Sequence, residues 1–147
     1  MAIPKLEDYV KRMKKVALRV IEEGFYTNGA KITVHQFDRN WVKEIVTEDI
    51  KKGNYRIGVI VDGSFNVCYI GRATDQTLQA RLLQHTEYLD DVYYFDFNSA
   101  KTDDEAIKRE CIDYHSFGED ELLDNEYHPS LPKGDECPWD GCEHVGE

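Results

Sequence analysis

Apolar residues recur along this chain with two periods, and the changes of period mark its elements. Leu6, Tyr9, Val10, Met13, Val16, Ala17, Val20 and Ile21 follow at spacings of mostly three and four. They therefore share one face of a helix expected over 5–23, which Gly24 ends. Residues 31–37, KITVHQF, alternate as a strand or an extended connection. Trp41, Val42, Ile45, Val46 and Ile50 return to helical spacing over 39–52, and Gly53-Asn54 reads as the break. Tyr55 to Val61 is apolar and β-branched, Asp62-Gly63 is a hairpin-turn dipeptide, and Phe65 to Ile70 returns, so an antiparallel hairpin is expected. A helix over 78–89, an aromatic strand over 92–97 and a helix over 103–117 follow. The last opens on Thr102 as N-cap with Glu105 three residues on, a capping box.

These elements predict an α+β fold: a small three-stranded antiparallel sheet flanked by helices. Residues 1–53 form an N-terminal helical extension, 54–132 the central unit, and 133–147 an acidic, cysteine-containing tail. A chain of 147 residues is most simply one compact domain. No run approaches the roughly 18 apolar residues of a membrane span, and no secretory leader is visible at the N-terminus, so a cytoplasmic protein without membrane contact is expected. Cys68, Cys111, Cys137 and Cys142 do not look like a secreted disulfide framework in a chain able to build its own core.

Charge changes the picture. The formal net charge of −11 divides into +3 over 1–53, −5 over 54–117 and −9 over 118–147. An acidic chain argues against strong non-specific nucleic-acid binding, which depends on Lys and Arg neutralising phosphates. A nucleic-acid role needs a local basic patch, a metal, or a protein partner or second copy that supplies basic surface. Lys11, Arg12, Lys14, Lys15 and Arg19 on the outward face of the first helix form one such patch.

Candidate chemistry begins on the helix after the hairpin. Leu78, Leu82 and Leu89 make its apolar stripe, and Arg81 and His85 fall together on the edge, four residues apart, where both can reach one anion. On the 103–117 helix, Glu110 projects into a stripe of Ala106, Ile107, Cys111, Tyr114 and Phe117. A carboxylate there needs a cation. It either pairs with Arg81 as a structural salt bridge or binds a metal, since hard cations favour carboxylate oxygen.

Gly58-Val59-Ile60, then Tyr69-Ile70-Gly71, Arg81, His85, Glu110 and Asn125, in that order, resemble the GIY-YIG nuclease superfamily. That group includes the nuclease domain of bacterial excision-repair incision proteins, some homing endonucleases and some restriction enzymes. The resemblance covers roughly residues 55–132. It implies an endonuclease hydrolysing DNA phosphodiesters, with Tyr69 orienting or helping to deprotonate the attacking water. It further implies that Arg72 contacts phosphate, Arg81 stabilises the charge developing on it, and His85 assists near water or phosphate. Glu110 holds one Mg²⁺ (or Mn²⁺), and Asn125 braces the substrate-binding side of the site. Ile60 takes the place of the first motif tyrosine. Tyr55 is the available substitute, although strand alternation sets it on the face opposite Ile60.

Cys137 and Cys142 have zinc-ligand spacing, with His144 or His128 as further donors. One pair without a second is not a zinc site, and the reading falls against bound zinc. Two other functions stay open: a nucleic-acid-binding module on the same fold with weakened catalysis, and an acidic protein-interaction or regulatory domain.

Overall fold

The structure is a computed structural model describing residues 34–61, 64–89 and 92–147. The helix expected over 5–23, the start of KITVHQF and the Asp62-Gly63 dipeptide lie outside the described residues.

The hairpin is the centre of the molecule. β2 (Gly53–Val61) and β3 (Ser64–Ala73) pair antiparallel along their whole lengths, following β1 (His35–Gln36) in the chain. Ile57 faces Tyr69 while Gly58 faces Val67, so Cys68 is an extra residue on β3. This bulge resets the alternation. Phe65, Val67 and Ile70 pack on one face of the sheet, and Tyr69 and Ala73 on the other. β4 (Tyr94–Ser99) pairs with the far side of β2, and β1 with β4, giving the order β1-β4-β2-β3.

Among the described residues the sheet therefore has four strands rather than the three expected. The added one is two residues long, His35 opposite Phe95 and Gln36 opposite Tyr94. So short a pairing is specified by its distant partner and not by local pattern. Gly53-Asn54 likewise opens the central strand instead of merely breaking a helix. A Cβ on Gly53 would lie 2.3 Å from the Asn98 carbonyl oxygen, so only glycine lets β4 approach here.

Each helix starts where its cap dictates. α1 (Arg39–Ile45) is capped by Asp38, whose carboxylate accepts from the Asn40 N–H at 2.7 Å. It ends well short of residue 52, because Val46 turns extended and the Thr47 hydroxyl bonds Asp49 locally. α2 (Leu78–His85) is capped by Thr77, and α3 (Asp103–Ser116) by Thr102. The expected capping box closes one residue further out: Glu105 N–H donates to Thr102 Oγ1 at 3.1 Å, while the Glu105 carboxylate accepts from the Lys101 N–H at 3.2 Å. α4 (Glu119–Leu122) follows a left-handed Gly118.

α1 and α2 cover one face of the sheet, where Val42, Leu78 and Leu82 pack with Tyr55, Ile57 and Phe95. Leu78 and Leu82 are fully buried, each worth roughly 1.5–3 kcal/mol relative to exposure. α3 covers the other face, bringing Tyr114 and Phe117 onto Phe65, Val67 and Ile70. Arg56 on β2 is tied into the same side of the protein by Asp96, Asn98 and Asp113 of α3, the last at 2.9 Å.

The chain past Gly118 is a cover for the sheet edge. Asp124 N–H donates to the Cys68 carbonyl at 2.7 Å, and Asn125 both donates to and accepts from the Ile70 backbone, at 2.8 and 3.0 Å. Residues 135–146 then fold back on themselves, with Glu136 bridging Val145 and Cys137 N–H donating to the His144 carbonyl at 3.1 Å.

Candidate active site

At the end of β3 an open pocket of about 270 Å³ is lined by Tyr55, Tyr69, Gly71, Arg72, Arg81, Glu110 and Ser130, among others. Both sheet faces contribute, because this is an edge strand of the sheet. α2 delivers Arg81 and His85 on the Tyr69 side. α3 delivers Glu110 on the side to which alternation past the bulge sends Ile70 and Arg72.

The aromatic wall is built around Tyr55. It is fully buried, stacks on Tyr69 with ring centroids 6.4 Å apart, and its hydroxyl is hydrogen-bonded to His85 Nε2 at 2.7 Å. The Tyr69 and His85 rings lie 5.0 Å apart. Gly71, directly opposite Tyr55 in the ladder, makes room for that phenol: a Cβ there would sit 2.3 Å from Tyr55 Oη. The glycine of Tyr69-Ile70-Gly71 is thus a space requirement set by another tyrosine.

Ile60, where the resemblance put the first tyrosine, is not in this pocket. It pairs with Phe65 near the hairpin tip and is 37% exposed. The alternation that separates positions 55 and 60 holds, and it is Tyr55 whose ring stacks on that of Tyr69.

Arg72 and Glu110 form an ion pair, Nη1 to Oε1 at 2.8 Å, and Arg72 also donates to the Ser130 carbonyl at 2.7 Å. The salt-bridge partner of Glu110 is therefore Arg72 and not Arg81. Arg81 donates to Gln84 Oε1 at 3.0 Å, and its charge acts on both phenols and on Glu110. Asn125 is directed at the Ile70 backbone and does not line the pocket. It braces the strand that carries Tyr69. Asn54, an unanticipated contributor, is buried and donates to the Ala106 carbonyl at 2.9 Å, one helical turn before Glu110. It ties α3 to the central strand at the level of the site.

Burial sets the protonation states. It pushes the Glu110 carboxyl up to about 6, against the opposing pull of Arg72. It also raises the titration of the Tyr55 and Tyr69 phenols, so both are protonated at neutral pH. Burial, then the Arg81 charge, lowers His85 from 6.5 to about 4. His85 is thus expected to stay neutral through the mildly acidic range, with a midpoint near 4 in NMR titration of its ring protons. A midpoint near 6.5 would contradict the packing described. Because the unfolded chain takes up that proton first, the stabilising contribution is complete above about pH 6.5 and is lost as pH falls through about 4.

A second cluster of chemistry-bearing side chains lies beside α3. His115, His128, Cys137 and Cys142 each direct one donor atom to a common point, all four atoms within 4.8 Å of one another. His128 was among the donors weighed for the cysteine pair. His115 was not, because it sits in the α3 sequence far from the tail. His144 stacks on His128 at 4.0 Å and is not part of the four.

The chain matches no family model, no curated protein and no solved structure. Among the described residues, no helix is long and apolar enough to cross a membrane.

Proposed function

We propose that the pocket is the active site of a metal-dependent endonuclease of GIY-YIG type that hydrolyses DNA phosphodiesters by in-line attack of water. The observation that carries this reading is the convergence of Tyr55, Tyr69, Arg81 and Glu110 on one polar pocket from β2, β3, α2 and α3, with His85 behind it on the Tyr55 hydroxyl.

Arg81 is the phosphate-binding group. Its guanidinium lines the pocket and is bonded to a neutral glutamine, so an incoming anion displaces no ion pair. Tyr69 positions the water. With both phenols protonated, neither acts as a standing phenolate. The Tyr55–His85 hydrogen bond instead provides a route in which Tyr55 receives the water's proton while passing its own to His85 Nε2. A phosphate on Arg81 offsets the positive charge that helps hold the imidazole's pKa low, so substrate binding makes His85 a better base.

The donor set fits a hydrated Mg²⁺ (or Mn²⁺) and not a closed protein cage. One carboxylate, Glu110, faces an open polar pocket, and its pair with Arg72 uses Oε1, leaving the second oxygen as a donor. When bound, the ion supplies electrostatic stabilisation of the phosphoryl oxygens. The acidic chain then needs basic surface beyond Arg72 and Arg81. The Lys11–Arg19 stretch or a partner, including a second copy, is the proposed source.

Paired variants test the assignment. Tyr55→Phe should lower cleavage by about 10²-fold or more, the scale of a lost proton-transfer group, whereas Ile60→Ala should leave it unchanged. Loss of activity on changing Ile60 with Tyr55→Phe silent would overturn the site as drawn.

A further inference from the structure

We infer that His115, His128, Cys137 and Cys142 form a closed structural zinc site that fastens the C-terminal segment to the domain. The sequence contains one suitably spaced cysteine pair, and folding brings the other two donors to it.

Five observations agree. All four donor atoms lie within 4.8 Å of one another. The sulfur–nitrogen separations are 3.5 Å for Cys137 Sγ to His115 Nε2 and 3.6 Å for Cys142 Sγ to His128 Nε2. A tetrahedral ion with Zn–S of about 2.3 Å and Zn–N of about 2.0 Å holds sulfur and nitrogen roughly 3.5 Å apart. Both histidines offer Nε2, and each Nδ1 has an orienting acceptor: Glu119 Oε2 at 2.6 Å for His115 and the Pro129 carbonyl at 2.8 Å for His128. A carboxylate or carbonyl on the second ring nitrogen is the support zinc-binding histidines require. The rings are also clamped: Trp139 stacks on His115 at 5.3 Å, and His144 on His128 at 4.0 Å. Both thiols are free, and Cys137 and His115 are buried while Cys142 and His128 are half-buried, so two of the four ligands are shielded from competing water.

Four protein ligands leave no open position, which makes the site structural and not catalytic. Its ligands join α3, the 128–130 stretch and the 135–146 turn. Ser130, whose carbonyl accepts from Arg72, follows His128 by two residues, so the ion would also hold that wall of the pocket. The inference does not depend on the nuclease reading, since an inert protein carrying one zinc would leave it intact.

The test is metal content of the full chain, purified under reducing conditions without a metal-affinity tag. One zinc per chain is expected, retained in Cys68→Ala and lost in Cys142→Ser. To separate metal loss from a folding defect in a cysteine variant, the metal-stripped parent is also titrated with Co²⁺. The visible bands of tetrahedral thiolate–imidazole coordination should saturate at one equivalent and vanish on adding Zn²⁺. No zinc and no cobalt bands in folded, reduced protein would overturn the inference, as would a Cys137–Cys142 disulfide in freshly isolated protein.

Discussion

Glu110→Gln is expected to abolish metal-dependent cleavage, by at least about 10²–10³-fold, without lowering the melting temperature at pH 7. The two halves of this result have one origin. The carboxylate is largely buried between α3 and the sheet, and that burial pushes its pKa up to about 6 even though Arg72 stands 2.8 Å away. Its folded pKa therefore lies above its ordinary 4.5, so the parent binds more protons folded than unfolded between those values. Its stability contribution falls as pH rises from about 4.5 through 6. Glutamine keeps an acceptor for Arg72 and removes that slope, which thermal melts across pH 4–7 would reveal. A residue whose charge weakens the fold but is needed for turnover is expected of an active site. A clear drop in Tm with activity preserved would mark Glu110 as a structural ion-pair partner only.

Arg56→Met should be the most damaging single change to the fold, at about 3–5 kcal/mol. Arg56 bonds Asp96, Asn98 and, at 2.9 Å, Asp113, with only 12% of each side chain of the Arg56–Asp113 pair exposed. Removing the guanidinium leaves two carboxylates without their cation between β2, β4 and α3. Chemical denaturation would measure the loss, seen as a melting temperature lower by roughly 10 °C or more. Adding Asp113→Leu and Asp96→Asn should recover a good part of it, because the penalty belongs to the orphaned charges and not to the missing arginine. Full stability in the single variant would show that this network contributes nothing.

The hairpin and the helices that flank it were legible because alternation, an apolar stripe and a threonine cap each act over a few residues. Thr102 with Glu105, and Leu78 with Leu82, are signals of that kind. The strand or extended connection expected over 31–37 is a strand at His35–Gln36, but its place in the sheet was not legible, since that pairing is decided by Phe95 and Tyr94. The site was legible in part: the arginine paired with Glu110 is Arg72 rather than Arg81, and the buried ring is the substitute Tyr55. Arg81 and Glu110 line one pocket, and His85 stands behind it, bonded to Tyr55. The first tyrosine, however, was sought in the tripeptide Gly58-Val59-Ile60, whereas Tyr55 is the ring that the ladder sets opposite Gly71. The available signal was alternation itself: Tyr55 and Ile57 share the face under α1 and α2, and Ile60 points to the other. The His/Cys cluster was hidden for a different reason. Its donors come from α3, from the stretch after it and from the tail, and no local spacing joins His115 to Cys137.

Cleavage by the parent chain tests the central claim most directly. Supercoiled, linear, single-stranded and branched DNA would each be incubated with Mg²⁺ or Mn²⁺, beside reactions containing a chelator. The account predicts nicking or cutting of at least one substrate, dependent on the metal and absent with Glu110→Gln. Intact DNA throughout, from protein shown by its melt to be folded, would contradict it.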